Sequence, residues 1–466
     1  MWEPVIGLEI HVQLQTSTKL FCSCKNSYGD PPNTNICPVC LGHPGTLPVL
    51  NEEAVKLAVK LALALNCRVN ETSYFARKNY FYPDLPKGYQ ITQHRFPLAQ
   101  DGYIKLRSGK KIRIERLHIE EDSGKSIHTE NGTLVDFNRC GVPLAEIVTK
   151  PDISSPEEAV EFLKTLRLAA IYAGVSDGDM EKGNLRCDAN LSLRPRGSEI
   201  LGVKTEVKNL NSFRFLAKAL EYEIKRQEKI LSSGGEVKQE TRGYDSHKGI
   251  TFPMRSKEEA HDYRYFPEPD LPPLILTEAY ISKVRSEIGE LPWEREERYI
   301  RSFGLERETA RVLCSEKEIS QLFEETLKDF PDPKEAANWV KTDVLKWFRE
   351  GHSVSPSALA KILNMVKEGR ISRLQAKEVL EETAREGKDP EKIVQERGLL
   401  QISDETQLRS IIEEVMEEFP EKVEKYRKGK KGLLGFFVGQ VMRRTGGKAN
   451  PKVVNKILQE VLNGER

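Results

Sequence analysis

Residues 5–14 alternate without interruption. Ile6, Leu8, Ile10, Val12 and Leu14 fall on one face, and Gly7, Glu9, His11 and Gln13 on the other. Period-2 alternation marks a strand with one buried face, so this segment reads as a β-strand that sets Glu9 and His11 side by side. Two later segments repeat the pattern. In LRCDANLSLR, Leu185, Cys187, Ala189, Leu191 and Leu193 share a face, while Arg186, Asp188, Asn190, Ser192 and Arg194 share the other. In VKTEVKN, Val203, Thr205 and Val207 oppose Lys204, Glu206 and Lys208. A further strand pair is expected over residues 103–107 and 111–119, turned at Ser108-Gly109. For any one strand, the polar face has a plain explanation as the solvated side of an antiparallel sheet. Combined in one sheet, the strands would pack one side on helices and present a wide polar cradle on the other.

Helical periodicity fills much of the remainder. In residues 51–67, Asn51 caps, Glu52 and Glu53 occupy the dipole-favoured first turn, and only Lys56 and Lys60 interrupt an apolar surface. That helix belongs to the core. Ser155-Pro156-Glu157-Glu158 is a capping box with proline at the first helical position, and the helix it opens stops at Gly174. Residues 213–231 form a third helix, ended by Ser232-Ser233-Gly234-Gly235. Residues 241–273, TRGYDSHKGITFPMRSKEEAHDYRYFPEPDLPP, lack regular periodicity and read as a long aromatic and basic loop with a proline-rich exit. From residue 281 the chain is helical and charged, with a break at 350–356 before a helix bearing Leu359, Ile362, Leu363 and Val366. The expected class is α+β: a mainly antiparallel cradle domain (1–290), then two all-α domains, a helical linker (291–352) and a C-terminal tail (353–466).

Composition narrows this little. The 466 residues exceed what one core organises, and 38% hydrophobic with 31% charged residues describes a globular, highly charged protein. A net charge of +1 hides local blocks. No run approaches the roughly 18 apolar residues of a membrane span, so no membrane association is expected. The first residues enter a strand pattern at once, without a signal or transit pattern, which makes the cytoplasm the expected compartment.

Candidate chemistry concentrates in four places. Residues 118–152 crowd Glu120, Glu121, Asp122, Asp136, Arg139 and Glu146 beside Gly124 and Gly141. Carboxylates this close repel unless a cation lies between them, and a hard, oxygen-loving ion such as Mg²⁺ is the natural one; a solvated acidic loop is the plainer alternative. Cys22-x-Cys24 and Cys37-x-x-Cys40 bracket a Gly/Pro/Asn loop and supply four thiolates for a structural, tetrahedral Zn²⁺. The other four cysteines are scattered, which suits a reducing compartment. Residues 75–93 interleave aromatic and basic side chains, as base-stacking surfaces and packed tyrosine loops both do. Near the end, Lys425, Arg427, Lys428, Lys430, Lys431, Arg443, Arg444 and Lys448 surround a Gly/Phe helix and could neutralise phosphates. Gly124-Lys125-Ser126 ends like a P-loop, but Ile119 stands where the motif needs glycine. No GxGxxG is present, and no GxSxG makes a strand-to-helix nucleophile elbow.

Six ordered stretches carry a resemblance: VIGLEIHVQL, RLHIEEDSGKS, VDFNRCGVPLAEIV, RCDANLSLRP, EVKNLNSFR and MRSKEEAHDYRYFPEPDLPP. Together with the helical end, they make the whole chain similar to the B subunits of the aspartyl/glutamyl-tRNA amidotransferases, the heterotrimers called GatCAB. The resemblance implies a cradle, a helical linker and a tail that holds tRNA. It implies two partners too, the glutaminase and the small subunits known as A and C. It also implies a reaction in which the B subunit uses ATP to phosphorylate the carboxylate of Glu-tRNA(Gln) or Asp-tRNA(Asn), and ammonia displaces the phosphate. By resemblance, the metal ligands are Glu9, His11, Glu121 and Glu146, with Asp188 and Glu206 as candidates for a second site. Period-2 counting puts Glu120, not Glu121, on the face of His118, so the choice of Glu121 requires the strand to end before it. A histidine ligand leaves room for Mn²⁺ in place of Mg²⁺. Arg139, Lys204 and Lys208 are candidates to neutralise phosphate, and Lys428, Lys430, Lys431, Arg443 and Arg444 to bind tRNA. The competing reading is a tRNA-binding scaffold whose catalytic groups lie on partners; it gives no reason for gathered carboxylates.

Overall fold

The computed structural model describes residues 2–208, 210–256, 263–401 and 405–463. The chain divides into two compact units, Met1–Pro292 and Trp293–Arg466.

The first unit is built on a long strand, β1 (Trp2–Gln13), followed by the buried helix α1 (Glu52–Ala64). Asn51 caps α1 by accepting from the N–H groups of Glu53 and Ala54. Short strands come next: β2 (Arg68–Val69), β3 (Thr72–Ser73), β4 (Ala76–Asn79) and β5 (Tyr89–Thr92). Then follow β6 (Ala99–Lys105), β7 (Lys111–Glu121), the hairpin β8 (Lys125–Thr129) and β9 (Gly132–Asp136), and β10 (Pro143–Thr149). Helix α2 (Pro156–Tyr172), strands β11 (Leu185–Pro195) and β12 (Thr205–Lys208), and helix α3 (Phe213–Ser232) follow.

The segment expected to be an irregular loop instead adds strands β13 (Glu240–Asp245), β14 (Ile250–Ser256), β15 (Arg264–Pro267) and β16 (Leu274–Ile275), before α4 (Glu278–Ser286). Its alternation is disguised because an inward position is charged. Arg242 is buried and bonds Glu240 at 2.7 Å, while the fully buried Glu223 of α3 approaches it at 3.6 Å. The part of that segment from Lys257 to Asp262 lies outside the described residues.

Nine strands form one sheet in the order β14-β13-β12-β11-β1-β10-β7-β6-β2. Every pairing in it is antiparallel except β12 with β13. One face is apolar: Ile10 lies opposite both Ile147 and Cys187, and all three are buried. That face packs on helices, with α3 against β11 and α2 against α3. A separate three-stranded sheet, β15-β4-β5, lies beside β7.

In the second unit, helices from Pro292–Phe303 through Pro390–Glu396 share one core that includes Tyr299, Phe323, Trp339, Leu359, Leu363, Leu380 and Ile393. The break at 350–356 therefore lies inside this core, not between domains as the sequence pattern implied. Gly351 turns the chain at φ 84°, and the helices on both sides pack together. A second core, around Leu408, Ile412, Phe437, Val441, Val454 and Leu458, joins Glu405–Glu418 to Pro451–Asn463. Among the described residues, no helix is long and apolar enough to cross a membrane.

Candidate functional site

Strand register assembles the centre of the polar face. His11 of β1 lies opposite Glu146 of β10, and Glu146 opposite His118 of β7. Residues paired across neighbouring strands point to the same face, and Glu120, two positions beyond His118, joins them. His11 Nε2 lies 3.2 Å from Glu120 Oε1 and 3.5 Å from Glu146 Oε2. His118 Nε2 lies 3.2 Å from Glu146 and 3.6 Å from Glu120. One donor atom each from His11, Glu120 and Glu146 fall within 4.8 Å of one another, a spacing that fits a divalent cation with mixed oxygen and nitrogen ligands. In the protein alone the imidazoles supply the neutralising charge. Burial would depress His11, but its bonds to Glu120 and Glu146 hold it up, to about 10. His118, buried as well, is held at about 9, first by the charge of Glu146. Burial and the neighbouring Glu146 push Glu120 up, yet the two histidines outweigh them and keep it at about 2.

Glu121, expected among the metal ligands, does not join this group. Strand β7 runs on through it, so the next residue after Glu120 must face the other side. Its carboxylate pairs with Lys87 and accepts from the Ile91 N–H at 2.9 Å. Glu9 does share the polar face, one strand-step from His11, but accepts from Asn190 Nδ2 at 2.9 Å. It forms a neighbouring cluster with Asp188, directly opposite on β11, and Glu206 on β12. Lys208 sits between the last two, 3.4 Å from Asp188 and 3.1 Å from Glu206. Burial raises the Glu9 carboxyl, helped by Glu146 and Glu206. Arg139 is spent locally, donating to the carbonyls of Ser123 at 3.0 Å and Gly124 at 2.7 Å. Lys204 is exposed just ahead of β12.

The four clustered cysteines converge, their sulfurs within 4.8 Å of one another. The Cys22 thiol and the Cys37 N–H bond Cys40, and with nearby Lys19 they hold its thiol down to about 4 against the effect of burial. Four thiols packed so closely fit tetrahedral Zn²⁺, which removes their protons and their mutual repulsion together.

Comparison with known proteins then decides the lineage. Residues 4–282 match the family described as the GatB/GatE catalytic domain, and residues 321–462 match a GatB domain. The B subunit of the aspartyl/glutamyl-tRNA(Asn/Gln) amidotransferase of Persephonella marina is 54% identical over 99% of both chains. The proteins of that name from Thermodesulfovibrio yellowstonii and Thermotoga maritima are 52% and 51% identical, over 99% and 100% of both chains. The chain belongs to the amidotransferase B-subunit family.

Within this family member, the GatB/GatE match spans the whole polar face, and the second match spans most of the helical unit. Three features of the site went unread in the sequence. His118 shares the period-2 face of Glu120, as the alternation indicates, but its place beside Glu146 comes from strand register. Arg186 pairs with Asp122 at 2.7 Å, which only the fold could bring about. Lys78, from the aromatic stretch, sits 4.6 Å from the centre of the Tyr263 ring. In the tail, the basic residues divide into two sorts. Lys428 pairs with Glu424, and Arg444 with Glu414 and Glu418. Lys430 and Arg443 are exposed and have no ion pair among the described residues.

Proposed function

We propose that this chain is the carboxylate-activating subunit of a tRNA-dependent amidotransferase. It binds Glu-tRNA(Gln) or Asp-tRNA(Asn) and ATP, and directs the γ-phosphoryl group onto the side-chain carboxylate. Ammonia released from glutamine by a partner glutaminase then displaces the phosphate to give the amide. A small third protein completes the assembly.

The observation that carries this reading is the convergence of His11, Glu120 and Glu146 within 4.8 Å on the polar sheet face. A scaffold has no use for buried carboxylates held against each other. A carboxylate is a poor electrophile, and phosphoryl transfer to it needs positioning and charge neutralisation more than covalent help from protein. His11, Glu120 and Glu146 would hold Mg²⁺ or Mn²⁺, which offsets phosphate charge as it develops. Lys208, between Asp188 and Glu206, is placed to exchange its carboxylate partners for a phosphate oxygen. Asp188, Glu206 and Glu9 are the donors for a second cation. Arg139 acts through the turn it braces. Cys22, Cys24, Cys37 and Cys40 would hold a structural Zn²⁺.

The test is ATP use by the chain assembled with its partner subunits, supplied with misacylated tRNA and Mg²⁺ but no glutamine. ADP should form only with the charged tRNA and should vanish in Glu146→Gln. Equal ADP in the variant would move the chemistry onto a partner protein.

A further inference from the structure

Outside the carboxylate cluster, one surface feature has no role in the reaction as proposed. Tyr265 of β15 and His94, just beyond β5, are stacked face to face, with ring centroids 3.9 Å apart and planes 11° from parallel. Tyr265 keeps 36% of its surface exposed, and His94 is exposed too. Burial lowers the His94 imidazole, and Arg116 and Arg95 lower it further, so it stacks as the neutral ring.

The position of the pair is fixed against the cluster. Thr92 Oγ1 donates to Glu120 Oε2 at 3.3 Å, and the Ile119 N–H donates to Gln93 Oε1 at 3.0 Å. These bonds clamp the end of β5 onto β7 where β7 carries His118 and Glu120. His94 is the next residue along. Tyr265 lies opposite Lys78 in the β15–β4 pairing, and Lys78 opposite Gln90 in the β4–β5 pairing. Adjacent strands are about 4.8 Å apart, so Tyr265 stands roughly 10 Å from β5 and leans back over it to reach His94. The Lys78 ammonium has no ion pair among the described residues. It lies beside the Tyr263 and Tyr80 rings, at 4.6 and 5.8 Å from their centroids. Burial disfavours that ammonium, but the charges of Glu120 and Glu146 hold it protonated.

We propose that the Tyr265–His94 stack is the platform for an adenine ring, seating a nucleotide whose reactive end extends past Lys78 to the His11–Glu120–Glu146 cluster. This rests on the phosphoryl-transfer reading of that cluster. Both substrates of that reaction carry adenine: ATP, and the terminal adenosine of the charged tRNA. In either one, the base is joined through ribose to the end that must reach the carboxylates. A flat, open aromatic surface accepts a base through its π face, and a lone ammonium beyond it suits the negative charge that follows.

The experiment uses the full chain assembled with its partner subunits and the variants Tyr265→Ala, His94→Ala and Tyr265→Phe. Two fluorescent probes are used: the triphosphate of 2-aminopurine riboside, and charged tRNA ending in 2-aminopurine. Steady-state KM is measured for ATP and for charged tRNA, and Mn²⁺ affinity is measured by titration without either. Stacking on an aromatic side chain is lost on truncation, so Tyr265→Ala should raise the KM of one substrate by about 5- to 100-fold. Quenching of the matching probe should disappear, Tyr265→Phe should restore both, and Mn²⁺ affinity should not move. A rise for ATP assigns the platform to the nucleotide triphosphate, and a rise for tRNA assigns it to the acceptor end. Unchanged KM values, or losses that Tyr265→Phe does not restore or that accompany weakened Mn²⁺ binding, overturn the platform. Failure of the cluster reading would show separately, as ADP formation that survives Glu146→Gln.

Discussion

Glu120 and Glu121, adjacent in the chain, send their carboxylates to opposite sides of one strand. Glu120 meets His11 at 3.2 Å on the cradle face, whereas Glu121 pairs with Lys87 behind it. Glu120, Glu121 and the Lys87 ammonium are buried and His11 is half-buried, and the two pairs serve different ends.

Glu120→Gln should abolish Mn²⁺ binding, read by titration, because it removes a ligand and half of the charge that would attract the cation. Glu121→Gln should leave Mn²⁺ affinity within about threefold. It should instead destabilise the first unit by about 3–5 kcal/mol in denaturant unfolding, since the Lys87 ammonium, 7% exposed, loses its partner. Loss of Mn²⁺ binding in Glu121→Gln alone would exchange the two roles.

The cysteine cluster should hold one Zn²⁺ per chain by elemental analysis. Lys19, fully buried, bonds the Asn35 carbonyl at 2.6 Å and the Phe137 carbonyl at 3.4 Å and lies 3.7 Å from Cys40 Sγ. Asn33 accepts from the Phe137 N–H at 2.7 Å and donates to the Val135 carbonyl at 3.0 Å. Chelation or Cys37→Ser should therefore speed amide exchange at Asn33, Asn35 and Phe137 together. Stability should fall by at least about 2 kcal/mol, since a structural metal turns binding free energy into folding free energy. Exchange confined to residues 22–40 would disconnect the clamp from the turn that carries Arg139.

In the tail, Lys430→Ala and Arg443→Ala should weaken tRNA binding and flatten its salt dependence by about 0.7–0.9 in log–log slope for each phosphate no longer neutralised. Lys428→Ala and Arg444→Ala should change the slope less, because Glu424, Glu414 and Glu418 already neutralise those cations. Binding isotherms at several salt concentrations decide this. Equal slopes for all four variants would mean the tail ion pairs open on binding.

Phe323 is fully buried against Tyr299, with ring centroids 5.1 Å apart. Phe323→Ala should cost about 3–5 kcal/mol. The loss should appear in unfolding of the helical unit, with Mn²⁺ affinity of the cradle unchanged. A parallel loss of Mn²⁺ binding would mean the two units unfold as one.

The alternation in residues 5–14 and 185–194 determined the central strands and their polar faces, because period 2 is a local property that a sequence states directly. Asn51 and Ser155 likewise marked helix starts, since a cap is satisfied within a few residues. The cysteine spacing announced its cluster for the same reason. Register could not be read in this way. It is set by pairing between strands distant in the chain, β1 and β10 by more than a hundred residues, and it placed Glu146 beside His11 and His118. Whether β7 stopped before Glu121 depended on Gln90 and Ile91 bonding its last residue, which no local pattern records. Strand β13 stayed hidden because its inward Arg242 is made tolerable by Glu223 of α3, by Glu240 and by Thr251 of β14, partners the local pattern does not show. The end of the first helical core near residue 400, not at 352, was likewise decided by which apolar faces met. Sequence stated the regularly patterned elements and their two faces; the tertiary structure chose the neighbours, because pairing energy depends on residues the chain brings together only by folding.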